Sequence, residues 1–222
     1  MTIQEAIRTR HTVRRYTDRK IPEETVLRLT ERIREHNERF HLRMRLVTEN
    51  TDAFGPVLRM FLAKGVRNYV ILASTNTNSN SANESLGYCG ADIMILAQTL
   101  GLNSWWVGGT FSRKGVRRQA EDGDAVAGVL ALGYGATQGV PHKSKRPEDI
   151  SRYDGTPPEW FSRGVESVLL APTALNKQAF TICGSGGTVS MTCENGIFSG
   201  VDLGIGKYHF EAGAGTENFT WA

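Results

Sequence analysis

Cysteine is scarce in this chain and histidine is scattered. The 222 residues hold three cysteines, Cys89, Cys183 and Cys193, an odd number with no C-x-x-C pair, and five histidines that form no ligand cluster with them. This excludes a disulfide scaffold and a cysteine–histidine metal site, and the expected setting is a reduced cytoplasm. No apolar run approaches the roughly 18 residues of a membrane span. The first residues also lack the apolar core of a signal peptide, so no membrane partner is expected. A strong basic stripe interleaved with aromatics is missing, which argues against nucleic acid.

What is present is ordinary in bulk and uneven in detail. Hydrophobic residues make up 40% and charged residues 22%, as in a globular protein, and the length suits one large domain or two small ones. Residues 1–150 carry a net charge of +6 and residues 151–222 one of −3. A modestly basic first part fits a small phosphorylated ligand. Twenty-four glycines concentrate between Gly87 and Gly135 and after Gly184, which suggests tight turns or close backbone approaches.

The helical and extended segments can be placed by periodicity. Thr2 and Glu5 make a capping box, with Ile3, Ala6, Ile7 and Arg10 on one face of a short helix. Pro22 with Glu23 and Glu24 opens a second helix whose stripe is Val26, Leu29 and Ile33. A strand is predicted over 41–47, a short helix over 54–64 and a buried strand over 69–73, followed by a polar loop over 74–81. Ser81 and Glu84 read as another capping box for a helix to Gly101, inside which Gly87 and Gly90 imply that something packs closely. Strands are expected at 105–107 and 126–132.

Beyond a turn-rich boundary at 150–158, Thr156 and Glu159 read as a third capping box, opening a helix with Phe161, Val165 and Val168 buried. A hairpin turns at Gly184 to Gly187. A last helix begins near Ser199, with Val201, Ile205, Tyr208 and Ala212 on one face, and 218–221 could form a terminal strand. This helix, strand, helix, strand order echoes residues 22–107 in reduced form, as a degenerate internal duplication would.

Three short motifs could carry chemistry. Arg10-His11-Thr12-Val13-Arg14 sets guanidinium forks, a ring and a hydroxyl at the spacing that suits a phosphate, although a solvated basic turn would read the same way. Gly108-Gly109 after Trp105-Trp106-Val107 forms a turn whose amides could face a ligand or be an ordinary tight turn. Lys143-Ser144-Lys145 is a second compact basic segment. Trp105 and Trp106 read as core, Cys89 as a packed helix residue, and Tyr88 or His209 as candidates to line a pocket.

Together these segments resemble the nitroreductase family of flavin mononucleotide (FMN) enzymes. Residues 10–14 resemble the family's N-terminal R-x-S-x-R/K phosphate motif, with Thr12 in place of Ser. Residues 101–109 are similar to its GLG-x-x-W-x-G segment, and Lys143 to Lys145 to its K-x-R pair. Residues 171–180 resemble its A-P-S-x-x-N-x-Q-P-W segment, with Ala179 for Pro and Phe180 for Trp, and here that segment follows the lysine pair. The order resembles a divergent branch with a fused, degraded second half.

The resemblance implies an α+β fold with a mixed, mainly antiparallel sheet flanked by helices. Residues 1–150 would bind FMN, and residues 151–222 would complete the site as a partner subunit does in homodimeric members. The chain would act as a monomeric pseudo-dimer or a homodimer with one flavin per chain. Cofactor contacts fall to Arg10, His11, Thr12, Arg14, Gly108, Gly109, Lys143, Lys145, Asn176 and Gln178. The implied activity is hydride transfer from NAD(P)H through the flavin to a nitroaromatic, a quinone or a similar acceptor; a flavin store or sensor is the alternative, and a glycine-loop protein for another phosphate ligand a third reading. No conspicuous acid–base pair is needed, because the flavin carries the redox step.

Overall fold

The computed structural model describes residues 1–75 and 80–222. Thr2 caps α1 (Ile3–Thr9) with the expected reciprocal bonds, Glu5 N to Thr2 Oγ1 at 3.1 Å and Thr2 N to a Glu5 carboxylate oxygen at 2.8 Å. In α2 (Glu23–Phe40), two acids complement the positive end of the helix dipole, and Leu29, Ile33 and His36 are buried. His41 ends it in the left-handed conformation, so the predicted strand over 41–47 shrinks to β1 (Arg45–Val47). The helix expected over 54–64 is α3 (Pro56–Phe61).

Strands β2 (Asn68–Ser74), β3 (Asn103–Val107) and β4 (Ala125–Gly133) join β1 in an antiparallel sheet of order β1-β2-β4-β3. All seven residues of β2 are buried. Its alternating side chains serve two cores: Val70 and Leu72 face the one containing Leu29, Ile93 and Leu102, while Tyr69 and Ile71 face the one containing Phe54, Trp105 and Val116. Both faces of this sheet are therefore covered.

Helix α4 (Asn80–Thr99) includes Asn80 and Ser81, so Ser81 lies inside the helix and not at its cap, and the predicted capping box with Glu84 does not form its start. Of the polar loop expected over 74–81, residues 76–79 lie outside the described residues. The short α5 (Arg113–Arg117) follows β3.

The second sheet is built from residues 151–221 alone: β5 (Ser151–Tyr153), β6 (Phe180–Ser185), β7 (Thr188–Cys193) and β8 (Thr220–Trp221), in that order. β6 and β7 form the expected hairpin, while β5 and β8 each add in parallel. A short α6 (Pro147–Ile150) leads into the sheet, and α7 (Glu159–Leu169) and α8 (Ser199–Ala214) pack on it around Phe161, Val165, Ile182 and Phe210. The third capping box is absent too: Pro158 occupies the cap of α7 and makes no side-chain cap, which puts Glu159 at the first helical position instead of the third.

The two parts are joined along α4 and α8. A Cβ on Gly87 would overlap the carbonyl oxygen of Val201, and one on Gly204 would lie 2.6 Å from the Tyr88 amide nitrogen. Glycine is required at this crossing because the helix backbones touch there. Lys207 Nζ and Glu84 Oε1, 2.6 Å apart, add an ion pair between the same helices.

Candidate functional site

Residues 10–16 leave α1 and run extended beside β3. Val13 N donates to Ser104 O at 3.1 Å, Thr12 bridges Ser104 in parallel, and Tyr16 bridges Gly135 in antiparallel fashion. Val13 and Tyr16 are buried by this pairing, His11 and Thr12 are half-buried, and Arg14 and Arg15 are exposed. The loop after β4 presses on the same stretch: at Gly139, held at φ +74°, a Cβ would come within 2.8 Å of the His11 Cβ. Close approach there brings Pro141 and His142 beside His11.

β3 delivers the other motif. A Cβ on Gly90 would overlap the Trp106 ring, so the glycine inside α4 makes room for that indole. Trp105 stacks on Phe54 with centroids 6.0 Å apart, and the Arg14 guanidinium lies 5.4 Å from the Trp105 centroid, a cation–π contact. Past β3, the ring of Phe198 from the second part packs on Gly108, and the space where a Gly109 Cβ would sit is open.

These segments enclose a cavity of about 620 Å³, within the usual size for a small-molecule or cofactor site. His11, Thr12, Arg14, Gly108, Gly109 and Asn176 line it, so six of the ten predicted residues converge. Phe198 at the cap of α8, with Val201, Asp202 and Ile205 on that helix, also line it, and sequence reasoning missed them as site residues. In a groove of about 600 Å³ between α1, α2 and α4, Asp92 is already held by Arg32 at 2.6 Å and His36 at 2.8 Å.

The other four predicted residues are not among the lining residues. Arg10 is 3% exposed, its Nε has no hydrogen-bond partner, and it joins no ion pair among the described residues. Burial pushes its guanidinium down to about 10. A buried cation without a counter-charge is costly, and an anion reaching it would relieve that cost. Lys143 is exposed, and its carbonyl accepts from Asn176 Nδ2 at 2.8 Å.

Gln178 is 1% exposed and faces inward: Lys145 N donates to its Oε1 at 2.7 Å, and its Nε2 donates to Leu169 O at 2.9 Å. Lys145 Nζ in turn donates to Gln178 O at 3.0 Å. Gln178 therefore fastens the lysine segment to the end of α7 instead of facing the cavity.

The segment between these anchors is strained. Leu175, Asn176 and Gln178 all have positive φ, at 54°, 55° and 45°, a conformation that non-glycine residues adopt at a cost and that clusters at functional sites. Asp202, 8% exposed, holds it down, with both carboxylate oxygens within 3.2 Å of Ala174 N. Burial pushes the Asp202 carboxyl up to about 6.

His209, one turn beyond Ile205 on α8, is fully buried. Its Nδ1 lies 2.8 Å from Ile205 O and its Nε2 has no partner. Burial, reinforced by the charges of Arg10 and His142, pushes it down to about 3. His11 is lowered by burial and by the same two neighbours. His209 and Tyr88 are not lining residues; the Tyr88 hydroxyl donates to Glu211 at 2.5 Å. Cys89 is fully buried, its thiol pushed up to about 12 by burial, consistent with packing. Among the described residues no helix is long and apolar enough to cross a membrane, and no group of three or more His, Cys, Asp or Glu is placed to hold a metal ion.

A family model described as "Putative TM nitroreductase" matches residues 2–214. No curated protein matches the chain. A solved structure described as a putative nitroreductase from Thermotoga maritima MSB8 is 23% identical, with a TM-score of 0.66, and the match covers 95% of this chain and 82% of that one. A putative nitroreductase in complex with FMN from Desulfovibrio desulfuricans is 17% identical, with a TM-score of 0.55, over 68% of this chain and 95% of that one. One from Bacteroides thetaiotaomicron, described as a putative NADH dehydrogenase/NAD(P)H nitroreductase, is 16% identical, with a TM-score of 0.52, over 67% and 95%. The fold is that of nitroreductases, a mixed α+β architecture with an antiparallel sheet flanked by helices.

Proposed function

The chain belongs to the TM nitroreductase family, and from that premise we propose that it is an FMN-dependent oxidoreductase passing hydride from NAD(P)H to a nitroaromatic, a quinone or a similar acceptor. The observation that carries the reading is Arg10, a buried guanidinium with an unpartnered Nε beside the stretch that lines the cavity. A phosphate is the kind of anion its fork would bind.

The donor set fits FMN. Arg10, Thr12 and Arg14 would hold the phosphate, with Lys143 and Lys145 adding positive charge and His11 meeting the ribityl chain or ring edge. The backbone at Gly109 can approach a flat ring because no side chain fills that space, while at Gly108 the Phe198 ring lies against the turn. Asn176 would lie beside the ring, and Gln178 would act by holding the lysine segment. When bound, FMN supplies the redox step, taking hydride at N5 and passing it on. The protein's share is to bind, orient and admit one substrate at a time.

Residues 151–222 would complete the site within one chain, since Phe198, Val201, Asp202 and Ile205 line the same cavity as His11. That part carries no second basic phosphate motif, so one flavin per chain is expected. The close α4–α8 crossing suits two halves of a duplicated unit, and the setting we infer is cytoplasmic.

The test is the absorption spectrum of the purified protein before and after NADPH. Flavin bands that bleach, then return on adding a quinone or nitroaromatic, support the enzyme. Flavin bands that bleach with neither nicotinamide nucleotide favour a flavin store or sensor. A colourless protein with no affinity for FMN overturns the reading.

A further inference from the structure

We propose that Asp202 is the proton donor to the acceptor reduced in this cavity, an inference that rests on the oxidoreductase reading above. Asp202 is the one carboxyl among the described residues that line the cavity, and it stands in the first turn of α8 between Val201 and the loop at Thr173–Asn176. It joins no ion pair among the described residues. One backbone N–H, that of Ala174, is shared by its two oxygens at 3.1 and 3.2 Å. A carboxylate offers about four acceptor positions, so a single shared donor leaves the charged form poorly satisfied. The protonated form suits this site better.

The surroundings agree. Burial is what favours the protonated form, while the Ala174 N–H and then Lys177 on the strained loop oppose it. Cys193 at the end of β7, its thiol raised by burial, is close enough for Asp202 and Glu194 to raise it further. His11, Arg14 and His142 line the rest of the cavity. Burial pushes the carboxyl up to about 6, which favours the protonated form in mildly acidic solution and leaves a conjugate base that recovers its proton readily.

The chemistry needs such a group. Reducing a quinone or a nitro group takes a hydride, whose electrons come from NAD(P)H, and a proton. The Asp202 O–H bond breaks, its electron pair stays on the carboxylate, and an O–H bond forms on the reduced acceptor. Water reprotonates Asp202 before the next cycle. Ferricyanide takes electrons without a proton and so bypasses this step.

Two measurements test the proposal. In the flavin-free chain, the Asp202 carboxyl followed by carbon-13 NMR is expected to titrate near pH 6, with its signal assigned by its loss in Asp202→Asn. In the flavin-loaded enzyme, Asp202→Asn keeps an oxygen for Ala174 N–H but has no acidic proton. Its quinone-to-ferricyanide rate ratio at pH 6 should fall about tenfold or more, and the ratio should lose its dependence on pH. Titration near the ordinary 4, or a loaded variant with an unchanged ratio, overturns the role of Asp202. Absence of flavin absorbance would overturn the oxidoreductase reading itself, and it shows before any rate is measured.

Discussion

Gly204 lies directly against the carbonyl of Glu84 where α8 crosses α4, with no room for a side-chain carbon between them. Both helices carry site residues on the cavity side or hold the strands that do, so this contact sets the distance between the two walls. Gly204→Ala should cost about 1–3 kcal/mol through overpacking, seen as a Tm lowered by several degrees. Gly109→Ala meets nothing within 4 Å and should leave Tm unchanged while weakening FMN binding, because the new methyl occupies the cavity. Equal Tm for the two variants would contradict the packing argument.

Gln178 gives a second separation of fold from site. Gln178→Leu leaves Lys145 N and Leu169 O short of partners, although His142 and Ser144 also reach that carbonyl at 2.9 Å. Leaving buried polar groups unpaired costs about 1–3 kcal/mol. Chemical denaturation should show that loss even in the flavin-free protein. A variant as stable as the parent, but with weakened FMN binding, would instead place Gln178 in contact with the cofactor.

His209 predicts a pH dependence of stability. Its folded value of about 3 lies below the ordinary 6.5, so between those values the unfolded chain binds more protons. Its contribution is complete above about pH 6.5 and is lost as pH falls towards 3. Asp202 works in the opposite sense, since its raised value makes the folded state the better proton binder between 3.8 and about 6. His209→Asn removes only the first effect, and an Asn amide can still donate to Ile205 O. Unfolding free energies measured from pH 7 to pH 4 should therefore fall less steeply in the variant than in the parent. Parallel slopes would show that His209 is not held neutral.

Much of the lining of the candidate site was legible because its signals are local. His11, Thr12 and Arg14 lie within four residues, and the Gly108–Gly109 turn follows directly on an apolar strand, so spacing alone marks them. Phe198, Val201, Asp202 and Ile205 were not, since Val201 and Ile205 read correctly as the buried stripe of a helix and nothing in a single sequence says that the stripe also borders a cavity. Asp202 looks like an ordinary first-turn acid complementing a helix dipole. The burial of Arg10 was invisible for a related reason: exposure follows from tertiary packing, and Arg8, Arg14 and Arg15, all exposed, share its sequence neighbourhood. The failed capping boxes share a cause in register, because a box works only when the acid is third in the helix, and Pro158 sets a later start than Thr156 suggests.

The central claim is that the Arg10–Arg14 stretch is the phosphate wall of an FMN site. It is tested most directly by the flavin-to-chain ratio, from absorbance, of the purified parent and of the double variant Arg10→Ala, Arg14→Ala, with circular dichroism to verify folding. The account predicts one FMN per chain in the parent and a folded, largely flavin-free double variant. A double variant that remains fully loaded, or a parent that takes up no FMN, would contradict it.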